Sequence, residues 1–537
     1  MSAAPAEGPS TSDRVFTLAG VLLGLFLAAL DQTIVATAGP AIQADLQIAP
    51  AVYPWLTTSY MVASTVMVPI WGKLSDQLGR KPVLLAGMAI FVAGSVLCGL
   101  SQSALMLVLF RAVQGIGSAS LFTSAFAVLA DLFPPETRGR YQGMFGACFA
   151  VASVVGPLVG GVITDGLGWH WVFFVNLPLG ALALAFVALR MPRQPVHDAA
   201  KGTRIDFAGA GALALAVIPL LLALSLGRSE ESPGQVGQGW LSPRMLALFG
   251  LSLAGTALFL FIESRARAPI LDLHLFRNRT FAVSNAASFL VGTTFFATIV
   301  FLPLFMVNVV GVSATSAGLA LTPLTLGLVA GNVLSGQIVS ALGRYRTLMR
   351  VCMTAAVGGF ALLAFTLDEA STRGGVTLKM VFLGLVLGPS VPMFTLIVQN
   401  AVMPKDVGVA TAAAGFFRSL GGTVGLAIFG TVFGLALASG LPERLQRAAP
   451  DVPEQGRVEL VQRLSRGELG RGVQSFPKEA IAEVTRAPED ATERLHGELR
   501  SAYSDAMRAL YRVALLLSVL ALIVTWLLPD ATLRRAS

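Results

Sequence analysis

Long apolar runs separated by short polar segments fill almost the whole chain. Fourteen runs approach the roughly 20 residues that a helix needs to cross a hydrocarbon core. They lie at about 16–37, 55–71, 82–100, 104–130, 143–164, 172–190, 205–226, 244–262, 281–307, 314–339, 347–367, 376–400, 407–438 and 509–528. Each predicts a transmembrane helix, and several are rich in Gly and Ala, as expected where helices pack closely in lipid. One long segment departs from the pattern. Residues 441–508 mix acidic and basic side chains, and Arg457-Val458-Glu459-Leu460-Val461-Gln462-Arg463-Leu464 places its apolar positions on one helical face. This predicts an extracytoplasmic insertion of amphipathic helices between the last two spans, for which a solvated cap and a substrate-handling lid both fit.

The polar link between the second and third runs sets the topology. Gly72-Lys73-Leu74-Ser75-Asp76-Gln77-Leu78-Gly79-Arg80-Lys81-Pro82 reads as a tight hairpin at a membrane surface, with Asp76 held among Lys73, Arg80 and Lys81. A weaker copy runs from Gly336 to Arg346, with Gly343 and Arg344 at the same offsets and Ser340 in place of Asp76. The pair reads as an internal duplication, a mark of secondary transporters with a site between their halves, with two unrelated Gly- and Arg-containing loops as the alternative. Loops on the side of the first hairpin are rich in Lys and Arg, whereas short loops on the other side hold only Arg228, Arg244, Arg373 and Lys379. That bias puts the hairpin and both termini in the cytoplasm. The first copy follows span 2 and the second follows span 10, so two spans are extra to a six-plus-six duplication. The expected organisation is a disordered tail (1–13), a six-helix bundle (14–190), two extra helices outside the bundles (205–262), a second bundle (280–528) interrupted by 441–508, and a cytoplasmic tail (529–537).

Composition narrows the class further. Hydrophobic residues make up 55% and charged residues 13% of the chain, far from the roughly 25% charge of soluble domains. The formal charge of +8 is scattered among short loops, where membrane orientation explains it, so nucleic acid is not an expected partner. Cys98, Cys148 and Cys352 lie far apart inside apolar runs, without spacing suited to a metal. The start carries no basic region or cleavage signature, which predicts an uncleaved first span. No Gly-rich loop ending in Gly-Lys-Ser/Thr is present and no soluble stretch is large enough for an ATP engine. His170, His197 and His274 fall at loops and His496 in the insertion, which gives no support to Ser/His/Asp catalysis. No cofactor is expected, and the energy would come from an ion gradient or from the substrate's own.

Charges inside spans are costly, so each is a functional candidate. Asp31, in Leu30-Asp31-Gln32-Thr33-Ile34-Val35, stands about fifteen residues into the first run and is the deepest acid in the chain. A carboxylate there suits a group that takes and releases a proton; a structural acid bonded to Thr33 or Thr57 is the alternative. Arg111 lies inside span 4, and Gln114 shares its helix face, so both can look into one cavity. Span 5 carries Gly143, Gly156-Pro157 and Gly160-Gly161 at helical spacings, which reads as a close helix contact with a kink at Pro157 and a hinge between bundles. Arg418 is a second intramembrane cation, for which snorkelling inward and cavity work both stay open.

Taken together, these motifs closely resemble the major facilitator superfamily, and within it the fourteen-span drug:proton antiporters. The 72–82 hairpin matches the signature loop between spans 2 and 3, and Arg111 with Gln114-Gly115-Ile116-Gly117 matches the span-4 motif. Gly156-Pro157-Leu158-Val159-Gly160-Gly161 matches the antiporter motif, with Ala152 where another glycine is frequent. The segments around Asp31, Trp55–Tyr60 and Trp169–Gly180 resemble the fourteen-span branch in particular, with His170 where arginine is usual. The resemblance implies an all-α membrane protein of the MFS fold: two pseudo-symmetric six-helix bundles plus two extra central helices. It implies that Gly72, Asp76, Gly79 and Arg80, with Asp131 near Arg80, latch the bundles in an outward-facing state, and that Asp31 and Arg111 couple to protons. The expected protein is a monomeric exporter in the inner cell membrane, driven by the proton gradient, with small amphipathic substrates, protons and the lipid bilayer as partners. Its cavity is expected to be apolar with a few polar groups, namely Gln32, Thr57, Tyr60, Gln114, Asn285 and Asn332. A lipid or siderophore exporter on the same scaffold, and a membrane sensor or assembly partner acting through 441–508, are the rival readings.

Overall fold

The computed structural model describes residues 11–48, 53, 55–133, 135–192, 206–226, 239–311, 322–342, 344–403, 406–438, 441–450, 452–465 and 478–529. Most of the expected tails and the first part of the 314–339 run lie outside these. The described residues are dominated by helices. The first half comprises α1 (Thr11–Asp45), α2 (Trp55–Leu78), α3 (Arg80–Gly99), α4 (Ala104–Leu132), α5 (Pro135–Leu167), α6 (Trp171–Phe174) and α7 (Asn176–Arg190). Two linker helices follow, α8 (Phe207–Leu226) and α9 (Pro243–Arg265). The second half holds α10 (Arg279–Asn308), α11 (Thr322–Leu342), α12 (Arg346–Thr366), α13 (Arg373–Leu387), α14 (Ser390–Asn400) and α15 (Val407–Ala438). The insertion supplies α16 (Leu441–Ala448), α17 (Glu454–Ser465) and α18 (Lys478–Thr485), and α19 (Glu489–Trp526) runs from it back through the second half.

Thirteen helical segments among the described residues are long and apolar enough to cross a membrane. They include α6 with α7 and α13 with α14, each a single apolar run interrupted locally, at Val175 and at Gly388-Pro389. The expected span at α2 is a helix of 24 residues outside that set, because Thr57, Thr58, Ser59, Tyr60, Ser64 and Thr65 dilute its apolar character. Helix starts follow local chemistry. Ser103 accepts a hydrogen bond from the Met106 amide at the start of α4, and Asn278 accepts from Thr280 and Phe281 at the start of α10. The 72–82 hairpin is almost wholly helical, and α2 turns into α3 at Gly79 alone, whose φ of 92° favours glycine.

The halves repeat one packing scheme. In the first, α1 packs on α5 and α7, α2 on α4, and α3 on α7; in the second, α10 packs on α15 and α19, α11 on α13, and α12 on α19. Small residues bring these backbones together. Gly156 and Gly160 of α5 lie on Thr33 and Thr37 of α1, and Gly421 and Gly425 of α15 lie in the corresponding way on Phe289 and Thr293 of α10. Without a hydrophobic drive between helices in lipid, such close van der Waals contact is what holds the bundles.

The linker helices form their own hairpin, and α8 seats it on α2 and α15, along the seam between halves. Their mutual approach is tight: Ser252 donates to the Ala216 carbonyl at 2.6 Å, and a Cβ on Gly255 would stand 2.6 Å from the Ala216 amide nitrogen. Gly255→Val is therefore expected to destabilise the protein by about 1–3 kcal/mol through overpacking, read as a lower melting temperature in detergent; an unchanged melting temperature would contradict this packing. The insertion joins the second half. Leu441, Leu445, Leu460, Ile481, Leu495 and Tyr503 share one apolar core with Phe301, Phe305, Phe360 and Met380, and Arg500 donates to the Val309 carbonyl at 2.9 Å.

Candidate functional site

Five elements of the first half converge on Asp31. The carboxylate is fully buried, and Arg111 of α4 reaches it with Nη1 2.6 Å from Oδ2. Gln114, one turn further along α4, donates from Nε2 to Asp31 Oδ1 at 2.8 Å while its Oε1 accepts from Arg111 Nη1 at 2.8 Å. The expected shared face of Arg111 and Gln114 thus closes a three-membered ring with the acid. Arg111 Nε donates to the Leu56 carbonyl at 3.1 Å, and its guanidinium lies 4.3 Å from the centre of the Tyr60 ring, both on α2. Tyr60 in turn donates from its hydroxyl to Ser118 at 2.5 Å.

Two partners were not singled out from the sequence. Asn176, the first residue of α7, donates from Nδ2 to Asp31 Oδ1 at 3.2 Å and to Ser95 Oγ at 3.0 Å, and Ser95 donates to the Phe173 carbonyl at 2.8 Å. The break at Val175 is what turns the start of α7 toward the acid. The signal available was the resemblance of the Trp169–Gly180 segment, in which Asn176 is the one residue with a side-chain amide. A charge pair so enclosed is stable only when its own donors and acceptors are satisfied: both Asp31 oxygens and Arg111 Nε and Nη1 have partners, whereas Asn176 Oδ1 is buried without one among the described residues. Removing one member leaves a buried charge without its counter-charge.

Gln32 and Thr57, adjacent to this network, are exposed, whereas Tyr60 and Gln114 are enclosed within it. Asn285 and Asn332 are buried elsewhere. Asn285 donates to Phe281 within α10 at 2.9 Å, and Asn332 of α11 abuts Gly146 of α5. The six expected cavity groups are therefore not one cluster: Tyr60 and Gln114 contact the Asp31–Arg111 pair, Gln32 and Thr57 are exposed neighbours of Asp31 and Leu56 in sequence, and two belong to the second half.

The hairpin end holds a separate assembly. Arg80 binds Asp76 at 2.5 Å, Ser75 at 2.5 Å and, through Nε, Asp131 of α4 at 2.9 Å. Asp76 also accepts, at 2.9 Å, from the backbone amide of Val409 in the first turn of α15, a contact between halves at the favourable positive end of a helix. Gly72 faces Ala412 and the Gly408 carbonyl, while Gly408 faces Asp76 and Arg80 so closely that a Cβ would lie 2.2 Å from Asp76 Oδ1. Gly408 was not anticipated. The counterpart across the molecule pairs α5 with α11, where Gly143 meets Val333 and Gly146 meets Asn332. Of the span-5 glycines, then, Gly143 faces the other half, Gly156 and Gly160 face α1 in the same half, and Gly161 has open space; Pro157 continues α5 without ending it. Gln399 of α14 adds a further link, donating to the Phe126 carbonyl of α4 at 3.2 Å.

The family profile described as Major Facilitator Superfamily matches residues 21–426. The chain belongs to the major facilitator superfamily. Membership and helices together make it a multi-pass membrane transporter rather than an enzyme. Among its relatives, the multidrug transporter protein MdtP of Bacillus subtilis is 38% identical over 448 residues, covering 83% of this chain and 80% of that one. Multidrug resistance protein 3 of the same organism is 40% identical over 417 residues, covering 78% and 79%. The fold is also that of solved superfamily members. The proton:xylose symporter XylE superposes with a TM-score of 0.56 at 13% identity, over 97% of this chain and 98% of that one. The human organic anion transporter MFSD10 gives a TM-score of 0.57 at 17% identity, over 79% and 95%.

Proposed function

We propose that this transporter is a fourteen-span multidrug exporter that exchanges amphipathic substrates for protons by alternating access, with both termini in the cytoplasm. The observation that carries the proposal is the buried Asp31–Arg111 pair beside exposed Gln32 and Thr57. An acid so placed can be neutralised by a proton from one side only while the other side is shut. On the topology proposed, the Asp76–Arg80–Asp131 assembly docked on α15 is the cytoplasmic latch, and the conformation is the cytoplasm-closed one. The names of the Bacillus subtilis relatives support export of drugs. Protonation of Asp31 releases Arg111 from its ion pair, and a ligand moves the equilibrium by its differential affinity for the two states.

Everted membrane vesicles provide the test. With respiration acidifying their lumen, vesicles containing the protein should accumulate a fluorescent amphiphile against its gradient. Nigericin, which collapses the pH difference, should stop it. Accumulation that survives nigericin and follows added ATP would overturn the proposal.

A further inference from the structure

Arg418 of α15 is not used by the network around Asp31 or by the latch. It stands eleven residues after the start of α15 at Val407, about 16 Å along the axis, too deep for its own side chain to reach that end. Thr411, two turns earlier on the same helical face, accepts from Gln399, which also donates to Phe126 of the other half. This face therefore looks toward the middle of the molecule rather than toward lipid. Gly292 of α10 packs against the Arg418 backbone, Val68 of α2 lies 3.6 Å from a Cβ built on Gly415, and the side chain is half-buried.

Among the described residues no carboxylate, carbonyl or aromatic ring pairs with Arg418. The acids nearest in role are committed: Asp31 to Arg111, and Asp76 to Arg80 and the Val409 amide. At the position of α5 that corresponds to Arg418, three residues before the first of the paired glycines, the first half has Ser153, whose hydroxyl donates to the Phe149 carbonyl. At this level the positive charge thus belongs to the second half alone, and among the described residues no acid compensates it. A guanidinium held away from bulk water needs a counter-charge, and its planar donor fork matches the two oxygens of a carboxylate, sulfonate or phosphate.

We propose that Arg418 selects amphipathic anions, pairing with the acidic head of a substrate whose apolar body lies along Phe296 of α10, against Gly422 one turn further along α15. The inference rests on the space between halves being the substrate path, and it adds the charge of the substrate. An inside-negative membrane potential assists expulsion of such an anion, and repulsion from Arg418 disfavours lipophilic cations.

The test uses the purified full chain in detergent without any gradient, so it is independent of proton coupling. Pyrenebutanoate and its uncharged methyl ester share one apolar body and differ in the charge of the head. Fluorescence anisotropy should show the acid bound about tenfold or more tighter than the ester, the size of one charge-assisted hydrogen bond. Arg418→Lys should keep much of that preference, and Arg418→Gln should abolish it. The melting temperature of Arg418→Gln should hold or rise, because a half-buried charge without an acid partner is removed. Equal binding of the two probes, binding of neither, or an intact preference in Arg418→Gln would overturn the proposal. Uphill transport insensitive to nigericin, with the preference present, would instead refute proton coupling and leave charge selection standing.

Discussion

Asp31→Asn is expected to abolish uphill transport, by about a hundredfold or more, while exchange of substrate between equal compartments continues. The reason lies in what the carboxylate holds. Breaking a buried ion pair by removing one partner costs about 3–5 kcal/mol, and that preference is what a proton would switch on and off. A bias of that size corresponds to a factor of at least about a hundred between conformations. With Asn, Arg111 keeps the neutral acceptors Gln114 and the Leu56 carbonyl, so the protein still folds, but no proton can act at this position. Paired assays of uphill accumulation and of equilibrium exchange in reconstituted vesicles separate the two steps. Full uphill accumulation by the mutant would remove Asp31 from the coupling.

Gly408→Val should reduce turnover by about tenfold or more without loss of folding. Its Cβ would stand 2.2 Å from Asp76 Oδ1 and 2.4 Å from Arg80 Nη1, so the latch cannot seat on α15. Gly72→Val meets the same surface from the other side, 2.3 Å from the Ala412 Cβ, and should have a similar effect. Because both act on one contact, their effects should combine less than additively. Gly161→Ala is the control, since nothing lies within 4 Å of a Cβ there. Transport rates of the two single valine variants, their double variant and Gly161→Ala at saturating substrate decide the matter. Normal turnover in Gly408→Val would mean that the cycle does not pass through the docked hairpin.

Much of this arrangement is legible in the sequence because charge in an apolar run stands out. Asp31 and Arg111 are conspicuous among their neighbours, and their separation by 80 positions does not hide that each needs a partner. The hairpin was equally plain from its glycines and cations. Less visible was everything carried by small or neutral residues. Gly408 is one of 55 glycines, and only the approach of α2 to α15 gives it meaning. Asn176 matters because α7 begins there, and the break at Val175 leaves the apolar run unmarked. The correspondence of Gly156 and Gly160 with Gly421 and Gly425 was likewise obscured, since the side chains around the two pairs have diverged while the helix contacts persist. The expected hinge glycines divide for the same reason: spacing gives a close helix contact but not which helix is met, so Gly143 turned out to face the other half and Gly156 its own. Amphipathic helices in 441–508 could be read from periodicity, whereas their attachment to α10 and α13 depends on partners distant in sequence.

The most direct test of proton antiport is internal pH in proteoliposomes holding the purified protein under an imposed pH gradient. Addition of a transported amphiphile should produce a proton flux opposite to that of the substrate, and Asp31→Asn should lack it. Substrate movement with no accompanying proton flux, in wild-type protein, would contradict the account.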